Sequence, residues 1–81
     1  MKIKIKFFAA YRDVVGRQEI IMDVEEGSKL RDVVEELKRI YPRLSGFSDS
    51  IIASVNKKYA GEEVLLNEGD EIALLPPVSG G

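Results

Sequence analysis

The 81-residue chain contains no cysteine and no histidine. That removes disulfide staples, thiolate nucleophiles, cysteine-rich zinc sites, histidine general bases and a Ser-His-Asp arrangement together. It has only three prolines and seven glycines, which does not suggest a disordered composition. Charge of neither sign dominates: twelve Lys and Arg stand against fourteen Asp and Glu, a formal net charge of −2. Nucleic-acid binding calls for a basic excess or a basic face, and the lone run Lys2, Lys4, Lys6 reads as a solvated sheet face. No apolar stretch approaches a membrane span, and the Lys-rich start lacks the apolar core of a signal peptide. The expectation is a cytoplasmic protein with neither nucleic-acid nor membrane partners. What remains for chemistry is carboxylates, lysines, hydroxyls and the chain ends.

With 44% hydrophobic and 32% charged residues, the chain can bury one modest core. From Met1 to Ala10, Ile3, Ile5 and Phe7 alternate with the three lysines, the period of a strand with one buried face. By the same parity Phe8 points outward. Tyr11 to Val15 reads as a short helical turn stopped by Gly16. Ile20, Met22 and Val24 alternate with Glu19, Ile21, Asp23 and Glu25 in a second strand, close enough in sequence to pair antiparallel with the first.

Ser28 is placed to cap a helix, with Arg31 where a capping box wants Glu or Gln. Leu30, Val33, Val34, Leu37 and Ile40 form its apolar stripe, Glu35 and Arg39 are spaced to pair, and Pro42 ends it near Tyr41. Arg43 to Ser50 reads as a loop. Ile51 to Val55 is a strand, Asn56-Lys57-Lys58 a turn before Tyr59, and Glu63 to Leu66 a short strand. Asn67-Glu68-Gly69-Asp70 is a turn leading into the last strand, Glu71 to Leu75. Strand pairs flanking one helix predict an α+β fold: a mixed sheet with the helix across one face. Asp23, Glu25 and Glu26 have no ligand motif around them and read as a solvated strand end, so no metal site is expected.

The chain ends Pro76-Pro77-Val78-Ser79-Gly80-Gly81. Two prolines deny a sheet two donors and favour an extended exit. Extended at about 3.3 Å per residue, the hexad reaches roughly 20 Å. Two glycines without Cβ atoms suit a narrow channel and leave the Gly81 carboxylate unscreened. The expected division is a domain over 1–75 and a flexible tail over 76–81.

Phe7-Phe8-Ala9-Ala10-Tyr11-Arg12-Asp13-Val14-Val15-Gly16, Leu30-Arg31-Asp32, Ser54-Val55-Asn56 and the run from Gly69 through Gly81 together resemble the MoaD family, the small sulfur-carrying subunits of molybdopterin synthase. The likeness spans essentially the whole chain in order. It implies the ubiquitin-like β-grasp fold and a carrier role in molybdenum cofactor synthesis. In that role an E1-like enzyme uses ATP and Mg to adenylate the Gly81 carboxylate, and a sulfur donor leaves a thiocarboxylate there. The tail, Pro76 to Gly80, then enters the large synthase subunit and gives its sulfur to cyclic pyranopterin monophosphate. The assembly implied is a heterotetramer of two small and two large subunits. On this reading the chain binds no cofactor itself and is not an autonomous enzyme.

A tail presented to two partners calls for apolar surface at its root. Phe8, Tyr59 and Leu75 are the candidates for a docking patch, with Arg12 adding a salt contact and Val78 anchoring within the partner's channel. Three other functions share parts of this evidence. A ubiquitin-like modifier joined to target lysines needs the same activated Gly81. A sulfur carrier for thiamine thiazole synthesis shares the Gly-Gly end without the Pro-Pro-Val-Ser approach. A non-catalytic adaptor makes no demand on the last residue.

Overall fold

The computed structural model describes residues 1–47 and 51–75. In chain order the elements are β1 (Lys2–Phe7), α1 (Ala9–Val15), β2 (Glu19–Asp23), α2 (Leu30–Ile40), a 3₁₀ segment Pro42–Phe47, β3 (Ile52–Val55), β4 (Lys58–Tyr59) and β5 (Glu71–Leu75). The strands form one mixed sheet in the order β2-β1-β5-β3-β4. At its centre β1 and β5 run parallel, with Ile5 beside Ile72 and Phe7 beside Leu74; the other neighbours are antiparallel.

Alternation in these two strands sets the core. Ile3, Ile5, Phe7, Ile72 and Leu74 are no more than 2% exposed and face the same side as Leu30, Val33 and Leu37 of α2. The lysines of β1 take the other face, where Lys2, Lys4 and Lys6 approach Asp23, Glu19 and Glu71 at 3.9, 3.4 and 3.6 Å. Pairs this exposed add little stability, but they keep that side of the sheet solvated. Ile40, the last residue of the helical stripe, departs from the expected pattern and is exposed. It lies at the open edge of the sheet, beside Ile20 and Ile21 of β2.

The helix starts differently from the expectation. Lys29, not Ser28, is the N-cap residue, and the Ser28 hydroxyl instead donates to the Glu25 carbonyl at 2.6 Å. Asp32, rather than Arg31, occupies the third helical position, and its carboxylate accepts the Lys29 N–H at 2.9 Å. The first two helical amides are satisfied across the fold: Leu30 N–H donates to the Val64 carbonyl and Arg31 N–H to the Glu62 carbonyl, both at 2.9 Å. These are donors a helix cannot satisfy internally. A remote backbone segment therefore does the work expected of a serine side chain. For the same reason Glu63 to Leu66 is not a strand; it makes a single bridge, Leu65 to Lys29. Arg39 pairs with Glu36, three residues back, rather than with Glu35, since both spacings share a helix face.

Two further departures concern short segments. α1 begins at Ala9 and carries Tyr11 into the core with no exposure, and burial pushes the Tyr11 phenol above its ordinary value. Arg43 to Ser50 reads as loop from its Ser and Gly content; its first part belongs instead to the 3₁₀ segment Pro42–Phe47 that drives Leu44 completely inside against α1 and α2, and residues 48–50 lie outside the described residues.

The β3–β4 hairpin turns on Asn56 and Lys57, both at positive φ (52° and 71°), the combination that matches strand twist in a two-residue hairpin. Asn56 also ties this turn to the next one. Its amide donates to Asp70 at 2.9 Å, its side-chain oxygen accepts the Glu71 N–H at 3.0 Å, and Asp70 in turn accepts the Asn67 N–H at 2.7 Å. Asp70 is buried, with each carboxylate oxygen accepting one of these bonds. Gly69, at φ +82°, closes the turn and donates to the Lys2 carbonyl at 2.8 Å.

Two outcomes follow. Asn56→Ala loses both side-chain bonds and strains a left-handed backbone, and should cost about 2–3 kcal/mol in denaturant unfolding; Asn56→Gly, which keeps the backbone freedom, should lie between it and the parent. The hydrogen bond from Lys29, with the Arg31 charge close by, holds the exposed Glu63 carboxyl below its ordinary value of 4.5. A carboxyl lowered on folding stabilises above its unfolded value, and the contribution fades as pH falls through the folded one. Exchange protection of the Leu30 and Arg31 amides should therefore drop on acidification below about pH 4.5, and Glu63→Gln should flatten that dependence.

Candidate functional site

The outer face of the sheet, away from α2, is shaped by small residues between large ones. Register places Ser54 beside Ala73 and Ile52 beside Leu75, with Tyr59 of β4 opposite Ser54. Phe8 follows Phe7, the neighbour of Leu74, on the adjacent strand. Phe8, Tyr59 and Leu75 thus line one hollow of about 320 Å³, with Ala73 and Ser54 also in its lining. Tyr59 is 77% exposed and Phe8 42%. Lys6, the Glu71 it pairs with, and Lys57 complete the lining.

Phe8 is held outward by its backbone. It is extended (φ −120°, ψ 152°) as the N-cap of α1, and Ala9 immediately reverses the chain at φ +51°. That left-handed conformation costs an alanine on the order of 1 kcal/mol, so the fold sustains some strain beside the aromatic ring. Arg12, one turn into α1, sits on the far side of Phe8 in a neighbouring depression with Gln18 and Glu19. The structure brings Phe8, Tyr59 and Leu75 together and leaves Arg12 adjacent to them. Lys6, Ser54, Lys57 and Ala73 were not anticipated as part of this surface; the outward parity of Ser54 and Ala73, two small residues among large ones, was the available signal.

Leu75 is the last described residue before the tail, so the chain leaves the described body at the wall of the hollow. Pro76, Pro77, Val78, Ser79, Gly80 and Gly81 lie outside the described residues. Among the described residues, no group of three or more His, Cys, Asp or Glu is arranged to hold a metal ion, and no helix is long and apolar enough to cross a membrane. The surface offers recognition: an apolar, partly aromatic concavity with cations at its margin.

A five-stranded mixed sheet with parallel central strands, one long helix across it and a last strand that ends beside an apolar hollow define a ubiquitin-like β-grasp protein. The ThiS family model matches residues 5–81, and the chain belongs to that family. It is 35% identical to the molybdopterin synthase sulfur carrier subunit of Dictyostelium discoideum, over 99% of this chain and 96% of that one. Small archaeal modifier protein 1 of Haloferax volcanii superimposes with a TM-score of 0.86 at 27% identity, covering 95% of this chain and 98% of that one. The fold is also shared, at a TM-score of 0.72 and 22% identity over the whole of both chains, by a chain in the complex of subunits 1 and 2 of molybdopterin-converting factor from Helicobacter pylori.

Removing the exposed rings should barely disturb the fold. Phe8→Ser and Tyr59→Ser are each expected to change unfolding free energy by less than about 1 kcal/mol, whereas Phe7→Ala, one residue away but buried, should cost about 3–5 kcal/mol.

Proposed function

We propose that this chain is the sulfur-carrying cosubstrate of molybdopterin synthesis, with Gly81 as its reacting residue. The observation that carries the reading is the joining of a Pro-Pro-Val-Ser-Gly-Gly end to an apolar hollow at the end of the last strand, in a chain 35% identical to a molybdopterin synthase sulfur carrier subunit. The division of labour is a recognition domain over 1–75 and a reactive tail over 76–81.

A carboxylate is a poor electrophile until one oxygen becomes a leaving group. An E1-like enzyme supplies that change: the Gly81 carboxylate displaces pyrophosphate from ATP·Mg and becomes an acyl-adenylate. A donor persulfide then attacks the carbonyl carbon and AMP leaves, giving an acyl disulfide. A second thiol, of the donor or the activating enzyme, attacks the donor's sulfur, so that the thiocarboxylate leaves and the two thiols are left as a disulfide. Glycine offers the least hindrance to that attack. Phe8, Tyr59 and Leu75 dock against the partner, Arg12 contributes a flanking charge, and Val78 seats the tail in its channel. Catalytic groups belong to the large subunit, where the sulfur passes to cyclic pyranopterin monophosphate; two charged small subunits in a heterotetramer supply the two dithiolene sulfurs. The chain itself retains no cofactor.

A second reading, a modifier conjugated to lysines through Gly81, is favoured by the likeness to small archaeal modifier protein 1. It requires the same adenylate, and differs in whether sulfur or a lysine nitrogen takes the acyl carbon.

Intact mass after incubation with the activating enzyme, ATP·Mg and a sulfur source tests the reading. The expected result is a gain matching exchange of one oxygen for sulfur, absent from a chain lacking Gly81. Neither adenylate nor thiocarboxylate, with an activating enzyme shown to be active, would favour the adaptor instead. Leu75→Glu and Phe8→Glu should each weaken large-subunit binding at least about tenfold with the fold intact; unchanged affinity for both would remove the docking patch.

A further inference from the structure

The sheet has an open edge at β2, which pairs with β1 on one side only. The bonds Phe7 N–H to Gln18 carbonyl (2.9 Å) and Val24 N–H to Met1 carbonyl (2.8 Å) fix the phase of the β1–β2 ladder. In an antiparallel ladder bonded and non-bonded pairs alternate, so Ile20 and Met22 bond inward to β1. Glu19, Ile21 and Asp23 turn their amides and carbonyls to the open side. Among the described residues, nothing bonds those groups. β2 is the terminal strand of the sheet and is five residues long, against two for β4 at the opposite edge. Natural edges are usually blunted by shortness, lysine or proline. This one carries Ile21 at its centre, 59% exposed.

Two depressions lie between that edge and α2, one toward each end of β2, and they differ in character. At one end Ile20, Ile40 and Tyr41 make an apolar floor beside Ile21, with Arg17 and Glu19 also in the lining. At the other, Asp23, Glu25, Asp32 and Glu36 line the depression with no basic side chain among the lining residues. The N-terminal ammonium at 3.5 Å and Lys2 at 3.9 Å approach Asp23, and Arg39 meets Glu36. Among the described residues, Glu25 and Asp32 have no ion pair.

We propose that β2 and these depressions bind an extended segment of a partner protein that carries Lys or Arg in its first half and β-branched aliphatic residues in its second. Running antiparallel to β2, such a segment places its cations against Asp23, Glu25, Asp32 and Glu36 and its aliphatic residues over Ile20, Ile21 and Ile40. It becomes a sixth strand, taking affinity from main-chain bonds and specificity from the two depressions. A second copy of this chain is a poor occupant. A symmetric β2–β2 pair centred on Ile21 sets Glu19 of each copy opposite Asp23 of the other on one face, and like charges directly opposite are destabilising. Those carboxylates therefore guard the edge against self-pairing while attracting a basic strand.

The test is amide chemical-shift titration of the full, isotope-labelled chain with a blocked peptide, Lys-Arg-Lys-Val-Ile-Val, alongside Glu-Asp-Glu-Val-Ile-Val. The basic peptide should perturb Glu19, Ile21 and Asp23, slow exchange of their amides and weaken with added salt; the acidic peptide should bind at least about tenfold more weakly. Ile21→Pro removes an outward donor without touching the β1 ladder and should abolish the effect. If that variant does not fold, Ile21→Lys should weaken binding by at least about tenfold. The proposal is overturned by perturbations that avoid β2, by equal binding of the two peptides, by mapping to Phe8, Tyr59 and Leu75 instead, or by self-association of the free chain through β2.

Discussion

The parallel pairing of β1 with β5 holds together the two ends of the chain, and everything functional is arranged around it. Ile5 against Ile72 and Phe7 against Leu74 bury four side chains under α2. Because strand side chains alternate strictly, that burial leaves Ala73 and Leu75 no choice but the opposite face, and it delivers Phe8 to the same side. A slip of one residue in β1 would bury its lysines, one in β5 would bury Glu71, and either would expose core side chains. The hollow beside the tail root is therefore a by-product of the same register that stabilises the domain. Its apolar character requires no separate structural device.

The rest of the molecule secures that centre from its periphery. Asn56 and Asp70 bind two turns to each other at one end of β3 and β5. The Glu62–Val64 carbonyls satisfy the first turn of α2, with Lys29, Arg31 and Glu63 clustered over the junction. The buried Asp70 carboxylate is paired with Asn56 from across the fold as well as with the nearby Asn67. These long-range pairings make the short connections rigid enough to hold Tyr59, on a two-residue strand, opposite Ser54.

Strand and helix positions were legible in the sequence because they rest on period: Ile3-Ile5-Phe7, Ile72-Leu74 and Leu30-Val33-Leu37 announce their faces directly. The departures come where a local signal competes with a remote one. Ser28 is a sound cap by type, but the 62–64 carbonyls reach the same amides, so its hydroxyl turns back to Glu25. Ser45 and Gly46 spell a loop, yet one leucine between α1 and α2 pulls the segment into a 3₁₀ turn. The outward placing of Phe8 and Leu75 followed from parity alone. The shape of the hollow did not, because Ala73 and Ser54 matter there by being small, and smallness has no period. The two depressions along β2 were equally hidden, since their walls come from separate segments.

Sulfur delivery is the claim on which the functional reading turns, and a single-turnover reaction tests it most directly. Thiocarboxylated chain is mixed with the large synthase subunit and cyclic pyranopterin monophosphate, and both pterin and protein are followed by mass. Carrier chemistry returns the Gly81 carboxylate as sulfur appears in the pterin. A thiocarboxylate that persists beside an active large subunit, or a chain found linked through Gly81 to a lysine with no sulfur in the pterin, would contradict it.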